Sequence, residues 1–450
     1  MQEQYSDTER EGKEDGFMKK QIGALFAGML LVSACPSAAA EDTELSFAWW
    51  GNQTRNERTQ QILDMYSEEN EGITFTPIFT DWGDYWMKLA TAAAGHTLPD
   101  IVQMDYSYLK QYVSNDLLLD LTPYIESGVI DLSEADESII DSARIGNGIY
   151  AICNGINVPA LMYNEDVLEE AGIGIKNNMT TEEFIGICRQ VYEKTGYRTN
   201  IAYRSDSYIE YFCRAYGETI YEEDRIGAGR ESLEAFYGLY ENGIAEGWLM
   251  DPGVFAEVPD GSVDRDPMVH GSDPDSMSWC MFAYSNQMSS VAEAAPSDMR
   301  IGMTTWPSPD PVRSNFLKPS QFFAVTADCE NPDEAAKVLD YITNSVECNK
   351  VLLGERGIPV SSAVFEAIRE DLSESNQEII RFIHEVVTPN SSELDPAAPT
   401  QAAGAYRLND KLVEEVCYGT VTAAQAAERM LTEGNAIMAG NVSRDALTDN

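Results

Sequence analysis

The segment Glu44–Phe79, ELSFAWWGNQTRNERTQQILDMYSEENEGITFTPIF, decides the fold class. Glu44–Trp50 is rich in Leu, Phe and Trp and predicts a strand. Thr54–Glu69 places Ile62, Leu63 and Tyr66 on one face at helical spacing and stops at Asn70-Glu71-Gly72. Ile73–Phe79 predicts a second strand. Outward from there, Asp81–Ala94 carries Trp82, Tyr85, Trp86, Leu89 and Ala93 at helical spacing, ends at Gly95, and leads to a third predicted strand, Asp100–Met104. Strands alternating with helices predict an α/β lobe, a mainly parallel sheet flanked by helices.

The chain has 450 residues, too many for a typical single core, which predicts a second lobe. A similar order returns at Leu161–Tyr163 (strand), Asp166–Ala171 and Thr181–Thr195 (helices), with a capping signal at Thr180. Residues 251–276 are crowded with Asp, Pro, Gly and Ser and predict a loop. Pro332–Asn344 predicts a helix with Asn331 as N-cap, and the C-terminal third reads as mostly helical.

Composition narrows the function. Seventy-five acidic residues against 30 Lys and Arg give a formal net charge of −45, which repels nucleic acid and anionic membrane surfaces alike. The three histidines, His96, His270 and His384, lie far apart, and neither an H-E-x-x-H nor a paired Cys/His spacing occurs, so no zinc site is expected. A phosphate-binding G-x-x-x-x-G-K-[ST] and a G-x-S-x-G elbow are also missing, and no cofactor is expected. Carboxylates are too abundant for a glycosidase pair to be read by counting. Asp264, Asp266, Asp273 and Asp275 read as a solvated loop rather than a calcium cluster. The eight cysteines form no C-x-x-C pair and read mostly as buried thiols.

Near the start, Lys19-Lys20, the apolar run Ile22–Val32 and Ser33-Ala34 have the layout of a secretory signal, with Met18 the expected initiator after an acidic stretch at 1–17. Leu31-Val32-Ser33-Ala34-Cys35 resembles the lipobox of bacterial lipoproteins, which implies lipidation of Cys35; the other reading is an ordinary signal cleaved around Ala38–Ala40. Two acyl chains suffice for stable anchoring.

Parallel α/β sheets bind ligands outside the carboxyl ends of their strands. Trp50-Gly51-Asn52, Asp81-Trp82 and Asp105-Tyr106 sit at three successive strand ends. Flat rings beside carboxylates and amides suit a sugar, whose CH face stacks while its hydroxyls form hydrogen bonds. Neighbouring strand residues face opposite sides, so Trp49 is assigned to the core and Trp50 to the cleft. Asp81 fits both a ligand contact and a helix N-cap; Trp86 fits the core.

KLATAAAGHTLPDIVQMD (Lys88–Asp105) resembles the K-L-x-x-A-x-x-x-G-x-x-P-D-[IV] signature of bacterial extracellular solute-binding proteins, family 1, the sugar-capturing, maltose-binding-protein-like lipoproteins of ABC importers. YVSNDLLLDLTPYI (Tyr112–Ile125), YAICNGINVPALMYNEDVLEEAGI (Tyr150–Ile173) and FFAVTADCENPDEAAKVLDYITNSVECNKVLLGERGIPVSSAV (Phe322–Val364) are similar to its later segments. The resemblance implies a two-lobed, periplasmic-binding-protein-like (type II) fold with the ligand between lobes. It implies crossings near Cys153–Val158, Ser308–Ser320 and Arg356–Val360. The lobes would be residues 41–153 plus 315–356 and 157–313 plus 360–445, after an extension and signal at 1–34. It implies ligand contacts from Trp50, Asn52, Asp81, Trp82, Asp105 and Tyr106, and from Asn154 or Asn157 at the first crossing. The second lobe would add Tyr203, Arg204, Tyr284 and Asn286, and the second crossing Trp306, Ser320, Gln321 and Phe322. The chain departs from the family in MVHGSDPDSMSWCMFAYSNQ, which lacks the usual G-K-x-A-M, and at Ser320, where glycine is common.

The expected activity is non-enzymatic: capture of a carbohydrate, an oligosaccharide from the tryptophan content, by hinge closure. A lipid-anchored monomer on the extracellular face of the cell membrane would then deliver it to ABC permease subunits served by a separate ATPase. A secreted glycoside hydrolase and a same-fold receptor for a cationic ligand such as a polyamine are the rival readings.

Overall fold

In the computed structural model, which describes residues 42–201, 205–255, 265–271, 276–399 and 401–440, strand β1 (Thr43–Trp50) lies between β2 (Ile73–Thr80) and β3 (Ile101–Met104) and runs parallel to both. Helices α1 (Gln53–Glu69), α2 (Trp82–Gly95) and α3 (Tyr106–Ser114) follow these strands in turn. β1 alternates as a strand buried on both faces must. Leu45, Phe47 and Trp49 pack with Ile62, Leu63 and Tyr66 of α1, while Ala48 and Trp50 pack with Tyr85 and Leu89 of α2. Trp49 is therefore core, as its strand position requires, and its indole donates to Asn56 Oδ1 at 2.9 Å.

Two further strands complete this sheet, Phe322–Val325 beside β3 and Ile152–Cys153 at the edge, and both are antiparallel to their neighbours. The expectation of a mainly parallel sheet thus holds for β1–β3 alone. The added strands adjoin the segments expected to cross between lobes and are not built as β-α-β units, so nothing constrains them to run parallel.

A second sheet is wholly antiparallel, with Pro159–Asn164 between Ile301–Thr304 and Cys280–Tyr284. Its core is unusually aromatic; Phe184, Tyr208, Phe236, Trp279 and Trp306 are all fully buried. The helix Thr181–Thr195 begins at Thr180 with a complete capping box to Glu183. The chain is thus two-lobed.

The segments expected to cross between lobes meet at one place. Ile156–Asn157 pairs antiparallel with Lys318–Pro319, and Ile156 also bridges to Ile358. Gly155 is required there: a Cβ would lie 2.5 Å from the Arg356 carbonyl oxygen and 2.9 Å from Gly357 Cα.

Several expectations need correcting. Asp266 is not solvated: it is buried, caps the short helix Pro267–His270 through Met268 N at 2.8 Å, and accepts from Asn200 Nδ2 at 3.2 Å. Burial pushes its carboxyl up to about 7. Asp264, Asp273 and Asp275 lie outside the described residues, as does Cys35. Six of the seven described cysteines are buried, in keeping with structural thiols; Cys329 is partly exposed. The C-terminal third is interrupted by residues 391–399, which run without regular structure between helical turns at Thr388–Asn390 and the helix Ala402–Cys417. Among the described residues no helix is long and apolar enough to cross a membrane.

Candidate functional site

A cavity of about 530 Å³ opens beside the β3–α3 junction. Trp82, Asp105, Tyr106, Tyr108 and Gln111 from α2 and α3 and their caps line one wall. Glu210, Arg214, Tyr221, Tyr284 and Tyr406 line the other, with Lys318-Pro319 of the crossing strand and the 394–399 stretch closing the outline. The first wall is a shelf of rings. Trp82 is 45 % exposed and meets Trp50 edge-on at 4.9 Å, and Tyr108 stacks on Trp86 at 3.8 Å. Asp105 caps α3, spending Oδ1 on the Ser107 amide and hydroxyl. That leaves its other oxygen without a described protein donor. Tyr106 stacks on Phe322 at 6.3 Å and donates its hydroxyl to the Asp395 carbonyl at 3.0 Å; burial pushes its phenol up to about 12.

The second wall is polar and charged. Glu210 accepts from the Tyr406 hydroxyl at 2.6 Å, and burial pushes its carboxyl up to about 7 against the opposing pull of that bond. The Tyr221 ring packs on Tyr406 at 4.6 Å, and its buried hydroxyl has no partner among the described residues. Buried Arg214 pairs with Asp395 at 2.8 Å, and Lys318 Nζ lies 5.3 Å from the Tyr284 ring centroid. A neighbouring cavity of about 690 Å³ shares Tyr106, Leu394, Pro396 and Ala397 with this one but offers mainly charged and small residues, such as Lys110, Glu137, Asp141 and Arg144. Rings on both sides with convergent hydrogen-bonding groups make the first cavity the ligand site of choice. Among the described residues no group of acids, histidines or cysteines could hold a metal ion.

The sequence profile of the bacterial extracellular solute-binding proteins matches residues 61–372, well over half the chain. The chain belongs to this family. Solved structures agree on the fold. An extracellular solute-binding protein family 1 member from Alicyclobacillus acidocaldarius superposes with a TM-score of 0.78 at 24% identity, covering 89% of this chain and 99% of that one. A periplasmic oligogalacturonide binding protein from Yersinia enterocolitica gives 0.72 at 18% identity, covering 88% and 99%. An ABC substrate-binding protein from Listeria monocytogenes in complex with cycloalternan gives 0.65 at 14% identity, covering 89% and 100%.

In this solute-binding protein, four of the residues singled out in the sequence line the cavity together: Trp82, Asp105, Tyr106 and Tyr284. The others do not. Trp50 is only 9 % exposed and lies behind Trp82, in contact with Tyr85 and Trp86, because the rings of α2 close over it. Asn52 and Asp81 are helix N-caps, accepting from the Arg55 and Asp84 amides at 2.9 and 3.0 Å. Asn157 is buried in the crossing strand opposite Lys318, while neighbouring Asn154 has an amide with no described partner. Trp306 is fully buried behind Tyr284, ring to ring at 5.6 Å. Asn286 is exposed outside the lining. Ser320 packs against the crossing glycines, its Oγ 2.8 Å from where a Gly155 Cβ would stand. Gln321 is buried, accepting from Gln103 at 2.5 Å and Arg55 at 3.1 Å, and Phe322 supports Tyr106 from the sheet. Tyr203 and Arg204 lie outside the described residues.

Glu210, Arg214, Tyr221, Asp395 and Tyr406 escaped the sequence reading. One signal was there. Glu210 and Arg214 stand four apart in a helix, Ser205–Arg214, whose Tyr208, Ile209, Tyr211, Phe212 and Cys213 are all buried. Charges spaced within so apolar a helix point to a partnered site. Pro396 and Pro399 likewise mark 391–399 as a break in the helical C-terminal third.

Proposed function

We propose that this solute-binding protein captures an oligosaccharide in the 530 Å³ cavity between its ring-lined and polar walls. The carrying observation is one cavity lined by Trp82, Tyr106 and Tyr108 together with Tyr221, Tyr284 and Tyr406, with Asp105 and Glu210 in the same lining as hydroxyl acceptors. Solved proteins of this fold bind oligogalacturonides and cycloalternan, which supports a saccharide as ligand class. A ligand touching both walls favours the closed state, so capture drives closure about the Ile156–Asn157, Lys318–Pro319 and Ile358 crossings. The lobes are residues 41–153 plus 315–356 and 157–313 plus 360–445. Cys35 carries the lipid that holds the protein at the outer face of the membrane, where it delivers its cargo as a monomer to an ABC permease. No bond in the sugar is broken.

Titrating intrinsic tryptophan fluorescence against a panel of oligosaccharides tests the reading. A saturable change with at least one sugar, and no new reducing ends on long incubation, is expected. A response to spermidine and to no sugar would replace it with the cationic-ligand reading, and release of reducing ends would replace it with a hydrolase.

A further inference from the structure

Building on the saccharide reading, we infer that Asp395 is a charge filter that makes the cleft select sugars lacking carboxylate groups over uronic acids. Binding a uronate is favoured by a cation with donors to spare, ideally an arginine fork. The described lining contains two cations, Arg214 and Lys318, against the carboxyl groups of Asp105 and Asp395 and that of Glu210, which burial holds partly protonated near pH 7.

Arg214 is already spent. Its guanidinium pairs with Asp395 at 2.8 Å and donates from Nε to the Ser314 carbonyl at 3.0 Å. Its Nη2 donates to Ser392 Oγ at 2.6 Å and to the Glu393 carbonyl at 2.5 Å, and the plane sits 5.0 Å from the Phe316 ring centroid. The side chain is 5 % exposed, whereas that of Asp395 is 34 % exposed and lines the cavity. A ligand therefore meets the carboxylate, not the guanidinium behind it. Lys318 lies over Tyr284, and its charge acts on Glu210. Asp105 remains as a hydroxyl acceptor with no described cation against it. A uronate entering this lining would meet like charge and be desolvated with no guanidinium fork turned towards it among the described residues. A neutral sugar finds acceptors for its hydroxyls in Asp105 and Asp395 and brings no charge of its own to desolvate.

The position of Asp395 is fixed independently of its charge. Its carbonyl accepts from Tyr106 on the opposite wall, so the stretch 391–399 is tied to both walls at once. Replacing Asp395 by Asn keeps that backbone bond and the side chain's size and removes the charge that masks Arg214.

The test is isothermal titration at low salt and neutral pH, with neutral oligosaccharides and digalacturonate as probes. In the wild-type protein, neutral sugars bind and digalacturonate binds at least about ten-fold more weakly. In Asp395→Asn the gap narrows by roughly ten-fold, through gained uronate affinity, as expected when the like charge facing the ligand is removed and no longer offsets the charge of Arg214. Wild-type protein that binds digalacturonate as tightly as any neutral sugar overturns the filter and leaves saccharide capture standing. A folded Asp395→Asn protein, judged by an unchanged melting transition, whose gap does not narrow overturns the role given to Asp395. If no saccharide binds the wild type, the underlying reading fails and the filter with it.

Discussion

The two walls of the cleft are built by opposite means. The ring-lined wall comes from one continuous stretch, in which each strand end hands its residues to the helix that follows: Trp82, Asp105, Tyr106 and Tyr108 all lie within residues 82–108. The polar wall gathers Glu210, Tyr221, Tyr284, Asp395 and Tyr406 from elements far apart in sequence. Local periodicity can specify the first wall; only the tertiary fold can specify the second. The ring wall gains rigidity from apolar packing, whereas the polar wall depends on the Arg214–Asp395 and Glu210–Tyr406 pairs, which cost more when either partner is removed.

That contrast can be broken most forcefully at Trp50. Its ring is the base of the shelf, so Trp50→Ala should lower stability by about 3–5 kcal/mol, read by chemical denaturation. A loss under about 1 kcal/mol would mean that the rings are not one packed unit. Gly155→Ala comes next. The added methyl must push against the Arg356 carbonyl, so a loss of about 1–3 kcal/mol is expected where Gly155 meets Arg356 and Gly357. Trp82→Ala should show the reverse balance. Because Trp82 is half exposed, stability should change little, while sugar affinity falls by about ten-fold or more through lost stacking. Equal stability losses at Trp50 and Trp82 would erase the distinction between support and contact.

The smallest effect belongs to the polar wall. Glu210 is raised from an ordinary value of 4.5 to about 7, so the folded protein holds this proton more tightly than the unfolded chain. Its contribution to stability is greatest below pH 4.5 and is lost as the pH rises towards 7. Asp266 titrates in the same window and in the same sense, so the informative quantity is the difference between wild type and Glu210→Gln. The variant should lose less stability between pH 5 and 7 than the wild type, and parallel pH profiles would show that the Glu210–Tyr406 pair is not desolvated.

The same contrast explains what the sequence disclosed. The strands and helices of residues 44–104 are legible because apolar spacing and stop signals act locally, and Thr181–Thr195 and Pro332–Asn344 have the bounds read from their caps. The orientation of the fourth and fifth strands of the first sheet was not legible, since it follows from where the crossings enter. Trp49 and Trp50 were rightly set on opposite faces, but a strand covered on both sides buries both. Asn52 and Asp81 show the other limit: the residue types that suit a hydroxyl also suit a helix N-terminus, and here the helix took them.

The central claim is that a saccharide is held between the two walls at once. Hydrogen–deuterium exchange with and without a saturating oligosaccharide tests it most directly. Protection gained both at residues 105–112 and at 205–221 with 394–406 is the predicted result. Protection confined to one wall, with the other unchanged at saturation, would contradict it.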